Sequence, residues 1–285
     1  VSETLDLAAR TGLGTARTEG GPFRGLPIRL AATLRRTGLY LALPLVLIAI
    51  WQGLFEAGLI RPILLPPPTK VAQAFVALTL SGDLFRHLGI SLLRVLEGFA
   101  IAAGIGLVLG VGIGLSRQLD RATDLTIQLL KPIPPIAWIP LAILWFGIGE
   151  GGKIYIIFLG AVFPILVNTI DGIRQTDHRH VELARILEVS RARFIAQVVL
   201  PGALPAIMTG LRVGLMVAWM CVVAAELIAA SSGIGYLIMD ARQLAQTDQV
   251  LVGMITIGAM GKLLDILLKE IERRLITWKT VYSGL

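Results

Sequence analysis

The sequence is poor in the residues on which most soluble enzymes depend. Of its 285 residues one is cysteine, three are histidine and 16% are charged, against about 25% charged in an ordinary soluble domain. The lone cysteine, Cys221, sits in an apolar run and excludes a disulfide scaffold. The histidines are His87, His178 and His180. The last two flank Arg179, and residues two apart do not share a helix face, so solvated loop histidines are expected and no metal site. No Ser/His/Asp arrangement can be argued, and the chain reads as a non-enzyme. Apolar residues dominate instead: 55% are hydrophobic and the mean hydropathy is +0.78. Such values describe a polytopic membrane protein.

Six apolar stretches set the expected organisation: Gly38–Phe55, Gly98–Ser116, Leu125–Gly149, Ile154–Ile170, Ala206–Ala230 and Gln249–Leu268. Each is about long enough to cross a ~30 Å hydrocarbon core as a helix. The third is interrupted by Lys131-Pro132-Ile133-Pro134-Pro135. Two charged helical patterns, Lys70–Leu80 and Leu84–Leu96, are expected outside the apolar core or at its interface. Within the second stretch, Gly106, Gly110 and Gly114 recur every four residues, a spacing that lets helix backbones approach closely. Residues 1–37 have no apolar core with a small-residue cleavage site and read as a cytoplasmic tail, not a secretory signal.

The formal charge is +7, and its distribution decides what it means. With the N-terminus inside, the loops and tails predicted to face the cytoplasm carry 17 Lys and Arg, and those outside carry 6. This follows the positive-inside rule and accounts for the basic balance without nucleic acid. Both termini are then cytoplasmic, with tails over 1–37 and 269–285 and a transmembrane domain over 38–268.

The segment Gly147-Ile148-Gly149-Glu150-Gly151-Gly152-Lys153-Ile154 nearly fits a phosphate-binding loop. It places Ile154 where a Mg²⁺-binding hydroxyl belongs, and it lies between two predicted spans. A Gly-rich turn is expected, and no ATP bound by this chain.

The most patterned polar stretch is Asp171–Arg193, followed by Leu200-Pro201-Gly202-Ala203-Leu204-Pro205. Val181, Ala184 and Leu187, then Phe194, Val198 and Leu200, form candidate apolar stripes on two short helices. The prolines are expected to interrupt or kink the helix. An exposed amphipathic helix of this kind suits a partner's groove, or lies on the bilayer surface.

Here the residues resemble a known family. Glu182-Leu183-Ala184, Glu188 and Val198-Val199-Leu200-Pro201 resemble the EAA loop of ABC importer permeases, E-A-A-x3-G-x9-I-x-L-P. Leu183, Val198 and Glu188 depart from it. The family's glycine at that last position gives a sharp turn, and Glu does not adopt positive φ cheaply. Leu65-Pro66-Pro67-Pro68, Lys131–Gly149, Phe163-Pro164-Ile165, Pro201–Arg212, Ala224–Ile228 and Ser232–Tyr236 resemble the sulfonate/taurine/nitrate branch.

The resemblance implies an all-α membrane protein with six transmembrane helices in the MetI-like type I ABC importer permease fold, in a bacterial inner membrane. It implies a homodimer in membrane lipid, two ATPase subunits that hold ATP and Mg²⁺, and an extracytoplasmic substrate-binding protein. Coupling falls to residues 174–202, with Glu182, Leu183, Ala184, Leu187, Glu188, Phe194, Leu200 and Pro201. Aliphatic sulfonate or taurine is the implied cargo, with nitrate or bicarbonate as alternatives. A stand-alone secondary anion transporter is the reading from a different class.

Charged groups inside spans face a cavity or a partner, so Lys131, Arg212 and Glu226 are pathway candidates. For the two cations, snorkelling to the headgroups is the alternative. Glu226 would repel an anion and is expected to pair with a cation or shape a gate. Trp138 beside the prolines is a candidate constriction, with packing between helices as the alternative.

Overall fold

The computed structural model of the chain describes residues 42–61 and 64–276. The chain divides into two compact units, Val1–Ala57 and Gly58–Leu285. The first contributes helix α1, Ala42–Glu56, about 22 Å long at 1.5 Å per residue. The first turn of the predicted span Gly38–Phe55, and the tail before it, lie outside the described residues.

The second unit begins with α2 (Pro68–Leu80) and α3 (Asp83–Leu115). The sequence pattern predicts a break between Leu84–Leu96 and Gly98–Ser116, but α3 is one helix of 33 residues. The charge that suggested the break, Arg94, is 4% exposed and neutralised inside the protein, so nothing forces the helix to end. Ser116, in extended geometry, ends α3, and its Oγ accepts a hydrogen bond from Leu119 N to open α4 (Arg117–Leu130). A 3-10 turn (Pro135–Trp138) and α5 (Ile139–Phe146) follow. The predicted third span is therefore not straight: α4 and the Pro135–Phe146 segment meet at 86°. Pro132, Pro134 and Pro135 supply no N–H, and proline disfavours helical geometry in the residue before it.

Gly147, with φ of 72°, turns the chain into α6 (Glu150–Arg174), the Gly-rich turn expected between spans. Then come α7 (His178–Ile186), α8 (Arg191–Phe194), a π-helical turn (Ile195–Val199) and α9 (Leu200–Ala229). The helix runs on from Arg191 to Ile228, so Pro201 and Pro205 do not interrupt it. The wider π turn leaves room where the Pro201 ring would clash with an α-helical carbonyl. Helices α10 (Ile234–Gln243) and α11 (Thr247–Leu275) complete the fold. The predicted C-terminal tail from 269 thus begins within α11. Among the described residues four helices are long and apolar enough to cross a membrane, and five if the bent pair counts as one.

Helix α6 is the axis of this unit. Its apolar window is 61% buried, against 28% for α3 and 22% for α11. Glycine determines how closely α3 approaches it. A Cβ added at Gly98, Gly106, Gly110 or Gly114 would sit 2.6–3.0 Å from the side chains of Ile157, Ile165, Thr169 and Ile173 respectively. Both series rise together, so α3 and α6 run parallel in one register. Against α9 the order reverses: Gly160 meets Cys221, Gly214 meets Ile165, Gly210 meets Asn168 and Gly172 meets Ala206. Helix α9 is antiparallel. The core between them is aliphatic, with Val95, Ile156, Ile157, Ile165, Leu215 and Val222 nearly or fully buried.

The two faces of α3 make a test. Gly104 has nothing within 4 Å of an added Cβ, so Gly104→Ala keeps or raises the detergent melting temperature, by up to about 1 kcal/mol of helix propensity. Gly110→Ala places a methyl 2.7 Å from Thr169 Cβ and lowers it, by about 1–3 kcal/mol of overpacking. Equal effects at the two positions would refute the register.

Candidate functional site

Three places along the helical unit carry polar chemistry. One lies at the end holding Glu150 and Glu226, one midway, and one at the opposite end in residues 174–202.

At the first, Arg94 on α3 uses every donor it has. Its Nε and Nη2 reach Glu150 Oε2 and Oε1 at 2.5 and 2.7 Å. Its Nη1 reaches Glu226 Oε1 at 2.8 Å and the Ser232 carbonyl at 2.7 Å, and Nη2 also reaches Ser232 Oγ at 3.0 Å. Lys153 binds Glu150 at 2.9 Å, so the four charges cancel. Glu226 is 1% exposed and also accepts bonds from Ser91 Oγ and Gly235 N. Successive amides at the start of α10 are received in turn: Gly233 N by His87 Nδ1, Ile234 N by Ser91 Oγ and Gly235 N by Glu226. The Glu226 carboxylate thus meets the positive end of α10 as well as Arg94. Only glycine fits beside it. Gly233 has φ of 111°, and a Cβ there would strike the carboxylate.

Midway, a cavity of about 350 Å³ opens between the α4–α5 break, α6 and α9. Phe163, Val213 and Val217 supply apolar wall, and Lys131 and Asn168 the polar groups. Pro164 also lines it and has no N–H to give the Gly160 carbonyl. Asn168 Nδ2 donates to the Pro164 carbonyl at 2.8 Å.

At the opposite end, Arg174 pairs with Asp120 and ties α6 to α4. Helix α7 follows, and Leu183 and Ile186 on it and Leu187 just after it are 52%, 77% and 64% exposed. Of the predicted Val181–Ala184–Leu187 stripe Leu187 is exposed and Val181 and Ala184 are half-buried, and Leu183 and Ile186 join Leu187 in the exposed apolar face. Glu182 is exposed and Ala184 half-buried. Glu188 has φ of 51°, and Val189 N donates to the Ala184 carbonyl at 3.0 Å. That six-to-one bond with a left-handed residue before it is a Schellman C-cap, where glycine is favoured. Phe194 packs on Ile173, Val199, Ala203 and Ile207, while Leu200 and Pro201 begin α9.

The four pathway candidates separate. Lys131 lines the cavity. Trp138 is half-buried against the core around Ile139 and Ala142. Arg212 is held by Asp265 on α11 at 2.5 Å, with Lys269 3.1 Å from the same carboxylate. Glu226 has its cation in Arg94. Sequence reasoning missed Arg94, Glu150, Ser91 and His87. A signal was present, since His87, Ser91 and Arg94 follow helical spacing in an apolar setting, but their partners lie more than 50 residues away.

Residues 84–277 match the family model described as binding-protein-dependent transport system inner membrane component. Over 244 residues the chain is 45% identical to a Bacillus subtilis (strain 168) protein named as the aliphatic sulfonates transport permease SsuC, covering 86% of this chain and 88% of that one. It is 37% identical over 238 residues to the taurine transport system permease TauC of Escherichia coli (strain K12), covering 82% and 86%. Among solved structures, an inward-facing MetNI methionine ABC transporter aligns with a TM-score of 0.55 at 18% identity, over 66% of this chain and 96% of that one.

Three variants test the geometry. Glu226→Ala leaves Arg94 short of a counterion and Gly235 N without its acceptor, and lowers stability by roughly 3–5 kcal/mol. Arg94→Met/Glu226→Leu together recovers part of that loss in thermal unfolding. Glu188→Gly relieves a left-handed residue and strengthens the end of α7 by about 1 kcal/mol, read as slower amide exchange over 183–189.

Proposed function

Because the chain belongs to the binding-protein-dependent transport system inner membrane component family, we propose that it is the membrane-spanning permease of an ATP-driven importer for aliphatic sulfonates. Two copies form the pathway in a bacterial inner membrane. A separate ATPase subunit on each copy holds ATP and Mg²⁺, and an extracytoplasmic binding protein delivers the cargo. Residues 174–202 face the cytoplasm with the positive-inside charge, and the Glu226 end faces out.

The observation that carries the coupling role is the exposed apolar face of α7. Leu183, Ile186 and Leu187 stand out at the end of the bundle, on and just after a nine-residue helix. A short amphipathic helix of this kind docks in a groove. Glu182 and Glu188 lie on its polar margin and set orientation, and Leu200 and Pro201 pass displacement into α9. The 45% identity to SsuC and the 37% identity to TauC support a sulfonate cargo.

Reconstitution with the ATPase and binding protein tests this. Alkanesulfonates stimulate ATP hydrolysis, and nitrate and bicarbonate do not. Leu187→Asp abolishes copurification of the ATPase and the stimulated rate, with the melting temperature of the permease unchanged. Sulfonate uptake that follows an ion gradient without ATP would refute the reading, and stimulation by nitrate or bicarbonate alone would refute the cargo.

A further inference from the structure

Lys131 differs from the cations on the long helices α3, α6, α9 and α11. Arg94, Lys153, Arg174, Arg212, Lys262 and Lys269 each have a carboxylate partner. Among the described residues Lys131 has none, and it borders the 350 Å³ cavity. Lys131 is exposed in the single chain, and a cation without a carboxylate beside an apolar cavity of a membrane protein marks a ligand or ion route. Its backbone setting agrees. Lys131 caps α4 and the chain breaks helical geometry just after it, at the 86° bend, and irregular backbone within a membrane is tolerated where it lines a cavity.

The wall chemistry narrows the ligand. Opposite Lys131 and Asn168 stand Leu159, Phe163, Val213 and Val217, one end polar and the rest apolar. A second cavity of about 150 Å³ continues from Lys131 and Val167 toward Asp120, Asp124, Asp171 and Arg174. There the carboxylates outnumber the cations. An anionic head is therefore favoured at Lys131 and disfavoured beyond it, and the tail is left on the apolar side. The larger volume lies at the small end of ligand pockets, about 300–1,000 Å³.

We propose that this cavity is a transit site for simple alkanesulfonates, with the sulfonate on Lys131 and Asn168 and the alkyl chain against Phe163, Val213 and Val217. It rests on the sulfonate-importer reading and adds a selectivity of the permease itself. Taurine, whose tail ends in an ammonium, has no acceptor side chain among those apolar walls and is the poorer ligand. So are nitrate and bicarbonate, which leave the wall unused.

The test is uptake by the reconstituted complex with one binding protein throughout, so that differences arise in the permease. Lys131→Gln cuts hexanesulfonate uptake by about tenfold, the weight of one charge-assisted contact of about 1.4 kcal/mol. Lys131→Arg retains it within about threefold, since the charge persists. Val217→Asn lowers the hexanesulfonate-to-ethanesulfonate uptake ratio by about fourfold, the effect of one methylene's burial. Lys262→Gln, a membrane cation away from the cavity, stays within about twofold. Wild-type rates in Lys131→Gln, failure of Lys131→Arg to rescue, or an unchanged ratio in Val217→Asn would each overturn the site. If the assembled wild-type complex takes up no sulfonate, the importer reading itself fails.

Discussion

The buried ion pair between Arg94 and Glu226 is the constraint to which the rest of the structure answers. Neither charge is stable alone in an apolar interior, and removing either strands the other. Together with Glu150, Lys153, Ser91 and His87 they join α3, α6, α9 and the start of α10 at one end of the unit. Because all five guanidinium N–H groups are used, Arg94 fixes both distance and rotation. That anchor sets where α3 begins its parallel course along α6. The glycines from Gly98 to Gly114 then keep the register down the helix. A shift by one residue would put larger side chains where even an added Cβ would lie within 3.4 Å of α6.

Stiffness and openness alternate along the unit as a consequence. The Glu226 end is cross-linked by charge and by three captured amides. The middle loses regularity where prolines remove donors from α4–α5 and from α6, and that is where the cavity lies. At the far end α7 keeps an apolar face uncovered. Its C-cap holds a glutamate in a conformation suited to glycine, so the departure from the EAA pattern changes the residue and not the turn. The backbone follows the bond between Val189 and Ala184, and the strain rests on Glu188.

Much of the fold is legible in the sequence because membrane burial imposes simple rules. Apolar length marks α3, α6, α9 and α11, and four-residue glycine spacing marks the close contact with α6. The failures have identifiable causes. Charge along residues 84–97 suggested an interfacial helix, although Arg94 is neutralised by residues 56 and 132 positions away. Pro201 and Pro205 suggested a break, although a π turn just before Pro201 makes room for it and α9 continues through Pro205. Leu183 and Ile186 join the predicted Leu187 in the exposed face at α7, because exposure depends on what the neighbouring helices leave uncovered.

By itself the sequence determined the class of molecule, its main apolar helices, its close-packing glycines and the EAA-like loop, since each depends on local composition and spacing. Tertiary structure alone decided which charges are partners. Arg212 read in the sequence as an equal of Lys131, and Glu226 as the partner of an unidentified cation; Asp265 and Arg94 prove to be the partners, and Lys131 is left at a cavity. Such pairings join residues far apart in the chain and depend on helix rotation to within part of a turn. Composition and periodicity do not carry that information.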